Sequence, residues 1–189
     1  MVQLFGNKEI YCYNIACSTN HPDYIYSELA ARYFNVDLIH WIPNQRKMKK
    51  RREDYPGDEI VREFYRWVYF DRKVYEIIAC DGVDEFNCGY YAHMKNPTEE
   101  TYYDFIRKLQ KEQLIPLYKN SGKVRVFLPY ISNEIILLWA QIPLSEKIDT
   151  TNRKKIICEL SKRNNVPKEI IERHKYGFVD AMTIKGDII

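Results

Sequence analysis

Three carboxylates follow one short apolar segment and are the side chains of this chain best suited to chemistry. Asp81, Asp84 and Glu85 are spaced around Gly82, directly after the β-prone residues 74–79. Such a run, ended by a turn, is typical of a buried parallel strand, and ligands of open α/β sheets collect where such strands end. Neighbouring carboxylates repel unless cations share the site, so the pattern predicts Mg²⁺ with substrate phosphates. The alternative is a solvated turn whose acids complement a helix dipole.

The elements before this turn predict a parallel sheet. Residues 10–16 and 36–41 are β-prone segments, and residues 23–34 between them repeat apolar side chains with a helical period. A strand–helix–strand unit implies a parallel pair with a right-handed crossover. More helices are predicted over residues 58–72, 97–113, 131–140 and 152–163 and after Pro167. The chain is therefore predicted to have an α/β fold with a mostly helical C-terminal half.

Composition excludes several classes of protein. At 189 residues the chain fits one domain, and its net charge of +3 argues against a nucleic-acid partner without a focused basic patch. The one basic cluster, residues 47–52, is followed by acids, which favours a solvated loop. No apolar stretch approaches a membrane span, and the first residues do not resemble a secretory signal. Five scattered cysteines and four scattered histidines indicate reduced thiols and no zinc site, which predicts a cytoplasmic protein.

Residues 80–90 carry a resemblance to a known family. Their sequence, Cys-Asp-Gly-Val-Asp-Glu-Phe-Asn-Cys-Gly-Tyr, resembles the Gly-Glu/Asp-Gly-x-Asp-Glu-x-x-Gly-Gly-Tyr segment of the asparagine synthetase family, in its synthetase domain. That domain belongs to the pyrophosphate-loop adenylating enzymes. Three other segments are similar to family segments in the same order along the chain, at residues 22–40, 124–148 and 155–178. The resemblance covers about residues 8 to 182 and implies an adenine-nucleotide-hydrolase-like parallel sheet.

The resemblance implies an ATP-dependent, amide-forming reaction. A substrate carboxylate attacks the α-phosphorus of ATP, and an amine then displaces AMP from the acyl-adenylate. Nucleotidyl transfer depends on positioning and charge neutralisation, so ATP and Mg²⁺ are the implied cofactors. The implied substrates are a small-molecule carboxylate and an amine.

By correspondence, each predicted site residue has a role. Asp84 would hold Mg²⁺ and pyrophosphate, and Asp81 would lie beside the reacting centre. Lys175 would stabilise charge on the α-phosphate with support from Arg173, whereas the alternative for Lys175 is a surface lysine near a helix end. These residues must then converge on one cleft. The remaining pyrophosphate-binding positions are Cys80, Gly82 and Glu85, and Cys80 is expected to be a small buried residue and no nucleophile.

The family's Ser-Gly-Gly-x-Asp-Ser loop, which cradles pyrophosphate, is missing. It should precede residue 8, where only residues 1–7 stand, so the nucleotide-binding part over 8–91 is predicted to be incomplete beside a helical part over 92–182. Other departures are Cys80 and Cys88 in place of glycines, with Phe127, Ser132 and Glu159 in place of charged residues. The uncovered sheet edge predicts a homo-oligomer or a partner polypeptide that supplies the loop.

Three functions remain open. The first is one part of a split amide-forming enzyme, inactive without the partner that carries the loop. The second is a degenerate, non-catalytic family member that acts as a binding or regulatory subunit. The third, a nucleic-acid-modifying adenylating enzyme of the same superfamily, depends on the basic residues 47–52 alone.

Overall fold

The computed structural model describes residues 10–44, 48–176 and 178, and its architecture is mixed α/β. The chain divides into two compact units. Among the described residues, the first unit combines 10–44, 48–64, 165–176 and 178, and the second contains 65–164. Residues 165–176 therefore belong to the same unit as the N-terminal strands.

The first unit contains the predicted strand–helix–strand motif. Strand β1 (Tyr11–Ile15) and strand β2 (Asp37–Trp41) pair in parallel over their full lengths, and helix α1 (Pro22–Phe34) connects them. His21 caps α1 by accepting the Asp23 backbone N–H at 3.1 Å. The predicted parallel pair is confirmed.

A buried ion pair fixes the segment after the basic cluster. Both oxygens of Asp54 accept from the Arg62 guanidinium, at 2.9 and 2.8 Å. These hydrogen bonds, with one from the Arg51 backbone, lower the pKa of Asp54 to about 2. Residues 49–52 are exposed, in agreement with a solvated loop, whereas Lys47 lies outside the described residues.

Helix α2 (Asp58–Phe70) begins in the first unit and ends in the second. In the first unit its buried Ile60 packs against partly buried apolar side chains, which are Ile15, Trp41, Met48 and Tyr176. The first unit also contains the short helix α10 (Lys168–Ile171).

The second unit is mostly helical, as the sequence predicts. Its helices are α3 (Val83–Phe86), α4 (Tyr91–Lys95), α5 (Glu99–Leu109), α6 (Ile115–Ser121), α7 (Asn133–Gln141), α8 (Leu144–Lys147) and α9 (Lys155–Arg163). Thr98 caps α5 by accepting the Thr101 backbone N–H, as predicted. Among its described residues, one cluster of buried side chains forms around Phe86, Leu109 and Trp139, and another forms around Cys88, Tyr102 and Ile148.

A π-helix (Gln110–Leu114) joins α5 to α6, where the sequence predicts an end near residue 113. Pro116 lies in the first turn of α6 and is buried. Proline has no backbone N–H and its ring collides with the carbonyl four residues earlier in an α-helix. The wider turn of a π-helix relieves this collision and lets the chain continue as a helix.

Strand β3 (Glu76–Ile78) pairs in parallel with strand β4 (Arg125–Phe127). The prediction of a buried strand over residues 74–79 is wrong, because Ile78 is 52% exposed and its register partner Phe127 is 43% exposed. An apolar run is buried only where another element covers it, and in the described residues β3 has one strand neighbour. The structure has two two-stranded sheets in the described part of the chain instead of one.

Among residues 10–44, 48–176 and 178, every helix is too short or too polar to span a lipid bilayer.

Candidate functional site

The predicted acidic residues line one cavity of about 270 Å³ in the second unit, here named the acidic cleft. All five candidate residues between positions 80 and 85 contribute to its wall, which consists of Cys80, Asp81, Gly82, Asp84, Glu85, Tyr90 and Gln113. The cleft opens where β3 ends and α3 begins, as expected for a ligand site of a parallel strand. Tyr90 and Gln113 are not among the predicted site residues.

The backbone of this turn needs glycine at several positions. Gly82 has φ 90, and a Cβ there would overlap the Ile131 side chain. A Cβ at Gly89 would overlap the Asp84 carboxylate and lie 2.5 Å from Lys154 Cε. Cys88 is a non-glycine residue with φ 56, a conformation that glycine adopts most easily. The backbone therefore favours glycine at positions 82 and 88, and at position 89 glycine leaves room for the Asp84 and Lys154 side chains.

Glu85 is held inside the wall of the cleft. The residue is 1% exposed to solvent. Its Oε1 accepts from the Tyr90 hydroxyl at 2.5 Å and from the Gln113 amide at 2.5 Å. Burial, and then the nearby Glu85 carboxylate, raises the pKa of Tyr90, so this hydroxyl remains a donor. Gln113 comes from the π-helix.

A second segment, residues 149–154, brings cations to the turn and is here named the cationic loop. Lys154 forms an ion pair with Asp84. The Arg153 guanidinium donates to the Gly89 carbonyl at 2.7 Å and lies 4.4 Å from the centre of the Tyr91 ring. These contacts join residues more than sixty positions apart, and nothing in the local sequence pattern indicates them.

Hydrogen bonds within the cationic loop keep it in a tight turn. Asp149 Oδ1 accepts from the backbone N–H groups of Thr151 and Asn152 at 2.8 and 2.7 Å. The Thr151 hydroxyl also donates to this oxygen, and these bonds hold the pKa of Asp149 well below its ordinary value. The turn is followed by Arg153, which contacts the Gly89 carbonyl, and by Lys154, which contacts the Asp84 carboxylate.

The cleft disfavours additional negative charge. Burial, and then the Glu85 carboxylate, raises the pKa of Asp81. Desolvation, and then the carboxylates of Asp81 and Asp84, raises the pKa of the Cys80 thiol. Cys80 is exposed, so the expectation of a buried side chain is wrong, because the strand before it is uncovered. A thiol with a raised pKa is a poor nucleophile, in line with the expected absence of that role.

Replacing Asp81 with Asn should stabilise the protein at pH 7 by about 0.5 to 2 kcal/mol. Folding raises the pKa of Asp81 above its ordinary 3.8. The wild type therefore loses stability as the pH rises from the ordinary pKa through the raised pKa of the folded state. Asparagine has no charge to desolvate, and the difference between the proteins should shrink toward pH 3. Urea unfolding at both pH values measures it, with the exposed Asp71→Asn as control. An equal gain at both pH values would show that the charge is not responsible.

Arg173 and Lys175 belong to the first unit. The Arg173 guanidinium donates to Asp23 Oδ1 at 2.7 Å and lies 5.9 Å from the centre of the Tyr26 ring. Asp23 is in the first turn of α1, the helix that resembles the one after the family's nucleotide loop. The acids and Lys175 lie in different units, and their convergence stays a prediction.

Lys147, in the segment that resembles the family's Leu-Pro-x-x-x-Lys-Ile, is a core residue. It is 2% exposed, and its ammonium donates to the Tyr102 hydroxyl and the Trp139 carbonyl, both at 2.7 Å. Burial lowers the pKa of Lys147. These contacts tie α8 to α5 and α7 and do not place the ammonium in the wall of the acidic cleft.

The donor set fits Mg²⁺ bound together with phosphate. Among the described residues, no group of three or more His, Cys, Asp or Glu side chains could hold a metal ion by itself. Mg²⁺ usually takes one or two carboxylates and completes its shell with water and substrate phosphates. Asp84, with Asp81 in the same wall, supplies carboxylate oxygens of this kind.

Comparison with known proteins adds no family assignment. Neither the protein-family models nor the curated proteins give a match to this chain. The resemblance to the asparagine synthetase family stays a prediction from the sequence.

Proposed function

We propose that this chain is one part of an ATP-dependent, amide-forming enzyme of the asparagine synthetase type. The observation that carries the proposal is the turn of the acidic cleft. Its backbone favours glycine at positions 82 and 88, the Asp84 and Lys154 side chains leave no room for a Cβ at Gly89, and its carboxylates line a single cavity. Each strand pair is parallel, as in an adenine-nucleotide-hydrolase-like sheet.

In this proposal the carboxylates have separate tasks. Asp84 would hold Mg²⁺, which would neutralise the negative charge of pyrophosphate. Asp81, in the same wall, would lie beside the reacting centre. Glu85 is fixed by Tyr90 and Gln113 and sets the shape of the wall. The role of Lys175, supported by Arg173, at the α-phosphate is what the resemblance implies and stays a prediction.

One departure from the family sequence is structurally conservative. Ser132, which replaces an aspartate, caps α7 by accepting the Ile135 backbone N–H at 3.4 Å. Serine and aspartate are about equally good helix caps. This substitution therefore preserves the start of the helix and does not count against the proposed fold.

The proposal needs amides for the pyrophosphate from outside the described residues. In the proposal they come from a second polypeptide, or a second copy, that contributes the Ser-Gly-Gly-x-Asp-Ser loop. Within the described residues, each of the four strands has one unused pairing edge, and unused edges are where strands from other chains add. Each edge is a candidate position for the contributed strand.

A second candidate function is a non-catalytic binding or regulatory subunit. The observation that favours it is the Lys154–Asp84 ion pair, because the carboxylate proposed for the metal already has a cation. Phe127, where the family has an arginine, is 43% exposed and offers no charge to a phosphate.

ATP–pyrophosphate exchange with aspartate and Mg²⁺ separates the two functions. The chain alone should give negligible exchange, because residues 1–189 contain no Ser-Gly-Gly-x-Asp-Ser motif to bind the triphosphate. Adding a polypeptide with a Ser-Gly-Gly-x-Asp-Ser strand, loop and helix, sought first in the neighbouring reading frame, should produce exchange. Exchange by the chain alone would show that the loop is not required. A stable complex that binds ATP without exchange would favour the regulatory subunit.

A further inference from the structure

The Lys154–Asp84 ion pair does more than join two segments. Its two side chains are only 26% and 17% exposed, so water screens their charges less than those of a surface pair. The Lys154 stem passes over Gly89, where any side chain would block it. The backbone of Lys154 has φ 54 and ψ 37, a left-handed conformation that disfavours non-glycine residues. The loop thus holds an ammonium directly on the carboxylate that faces the acidic cleft.

We propose that Lys154 is the resident counter-cation of Asp84, that a divalent cation entering the acidic cleft displaces it, and that the displaced ammonium then neutralises phosphate oxygens. An ammonium and a divalent cation at one carboxylate oxygen repel each other, so they compete. Lys154 is the last residue of the cationic loop and directly precedes helix α9. Its flexible four-carbon stem lets its charge move while the loop stays anchored through Arg153.

The two steps of this inference predict effects of opposite sign. Removing the Lys154 charge should favour a free cation at Asp84, because the competitor is gone. The same change should disfavour a cation that arrives with pyrophosphate, because the phosphate loses a positive partner. The phosphate step rests on the proposed function, whereas the cation step does not.

The chain offers a matched control in Lys155. Its ammonium donates to the Ser145 carbonyl at 2.7 Å and lies 3.5 Å from Asp149, so it is engaged away from Asp84. Lys155→Met removes the same charge one residue along the chain. A general change in net charge would therefore act equally in both variants.

The test measures Mn²⁺ binding to the purified full chain by electron paramagnetic resonance, without ATP. Lys154→Met should bind Mn²⁺ roughly tenfold more tightly than the wild type, while Lys154→Arg and Lys155→Met remain close to it. With inorganic pyrophosphate present, Lys154→Met should bind Mn²⁺ more weakly than the wild type. Circular dichroism checks folding, and Lys154→Gln replaces the methionine variant if that one does not fold.

Equal Mn²⁺ affinity in wild type and Lys154→Met, or an equal change in Lys155→Met, would overturn the cation step. So would the absence of Mn²⁺ binding in every variant. Tighter binding of Lys154→Met both with and without pyrophosphate would overturn the phosphate step alone. Failure of the proposed enzyme function would give a different result. The completed complex would then show no ATP–pyrophosphate exchange, while Lys154→Met would still change Mn²⁺ binding as expected.

Discussion

Replacing Asp84 with Asn should lower the ATP–pyrophosphate exchange rate of the completed complex by about a hundredfold or more. The carboxylate is the proposed anchor for Mg²⁺, and a neutral amide is a much weaker ligand for this hard cation. Asparagine has nearly the same volume, so the effect should come from the lost charge. The measurement is the initial exchange rate at saturating ATP and Mg²⁺.

The control distinguishes a metal ligand from a charge that complements a helix dipole. Asp84 is in the first turn of α3, and Glu134 is an exposed acid in the first turn of α7. Glu134→Gln removes a comparable dipole interaction and should leave the exchange rate within about twofold. If the two variants were equally active, the dipole interpretation of Asp84 would stand and the metal assignment would fail.

Gly82→Ala should destabilise the second unit more than a glycine-to-alanine substitution at any other glycine of that unit. The new Cβ would overlap Ile131 and would also occupy a residue with φ 90. Overpacking costs about 1–3 kcal/mol and a strained backbone a similar amount, so a loss near 3 kcal/mol is expected. Urea unfolding followed by circular dichroism measures it.

Gly122 provides the matched comparison. It too has a positive φ, 61, but a Cβ there would meet no atom within 4 Å. Gly122→Ala should therefore show the backbone cost alone. In the double variant Gly82→Ala/Ile131→Ala the overlap is gone, so its loss should be smaller than the sum of the two single losses. Strict additivity of the two single variants would indicate that Ile131 does not cause the cost.

Local patterns predict local structure well in this chain. The helical period and the β-prone segments predict the β1–α1–β2 unit, and a threonine before acidic residues predicts the cap at Thr98. The acidic turn is also predictable, because its side chains are close in sequence and share one strand end. All of these depend on interactions between residues only a few positions apart.

The rest of the site depends on contacts that no short window contains. Lys154 reaches Asp84 from a loop seventy residues later, and nothing in its own neighbourhood indicates the partner. Cys88 has a left-handed backbone, although cysteine is not a residue type that predicts this conformation. The exposure of Ile78 depends on what covers β3, which its apolar run cannot specify. These are tertiary effects, and local propensity does not contain them.

The π-helix makes the acidic cleft sensitive to the number of residues in one segment. A π-turn is an α-helix with one inserted residue, and each residue turns an α-helix by about 100°. Deleting Lys111 would restore ordinary helical phase and rotate Gln113 away from Glu85, although no residue that lines the cleft would have been removed. Substitution at Lys111 would leave that phase unchanged. Homologous chains that use this wall should therefore vary in residue type between positions 110 and 114 while tolerating neither insertion nor deletion there.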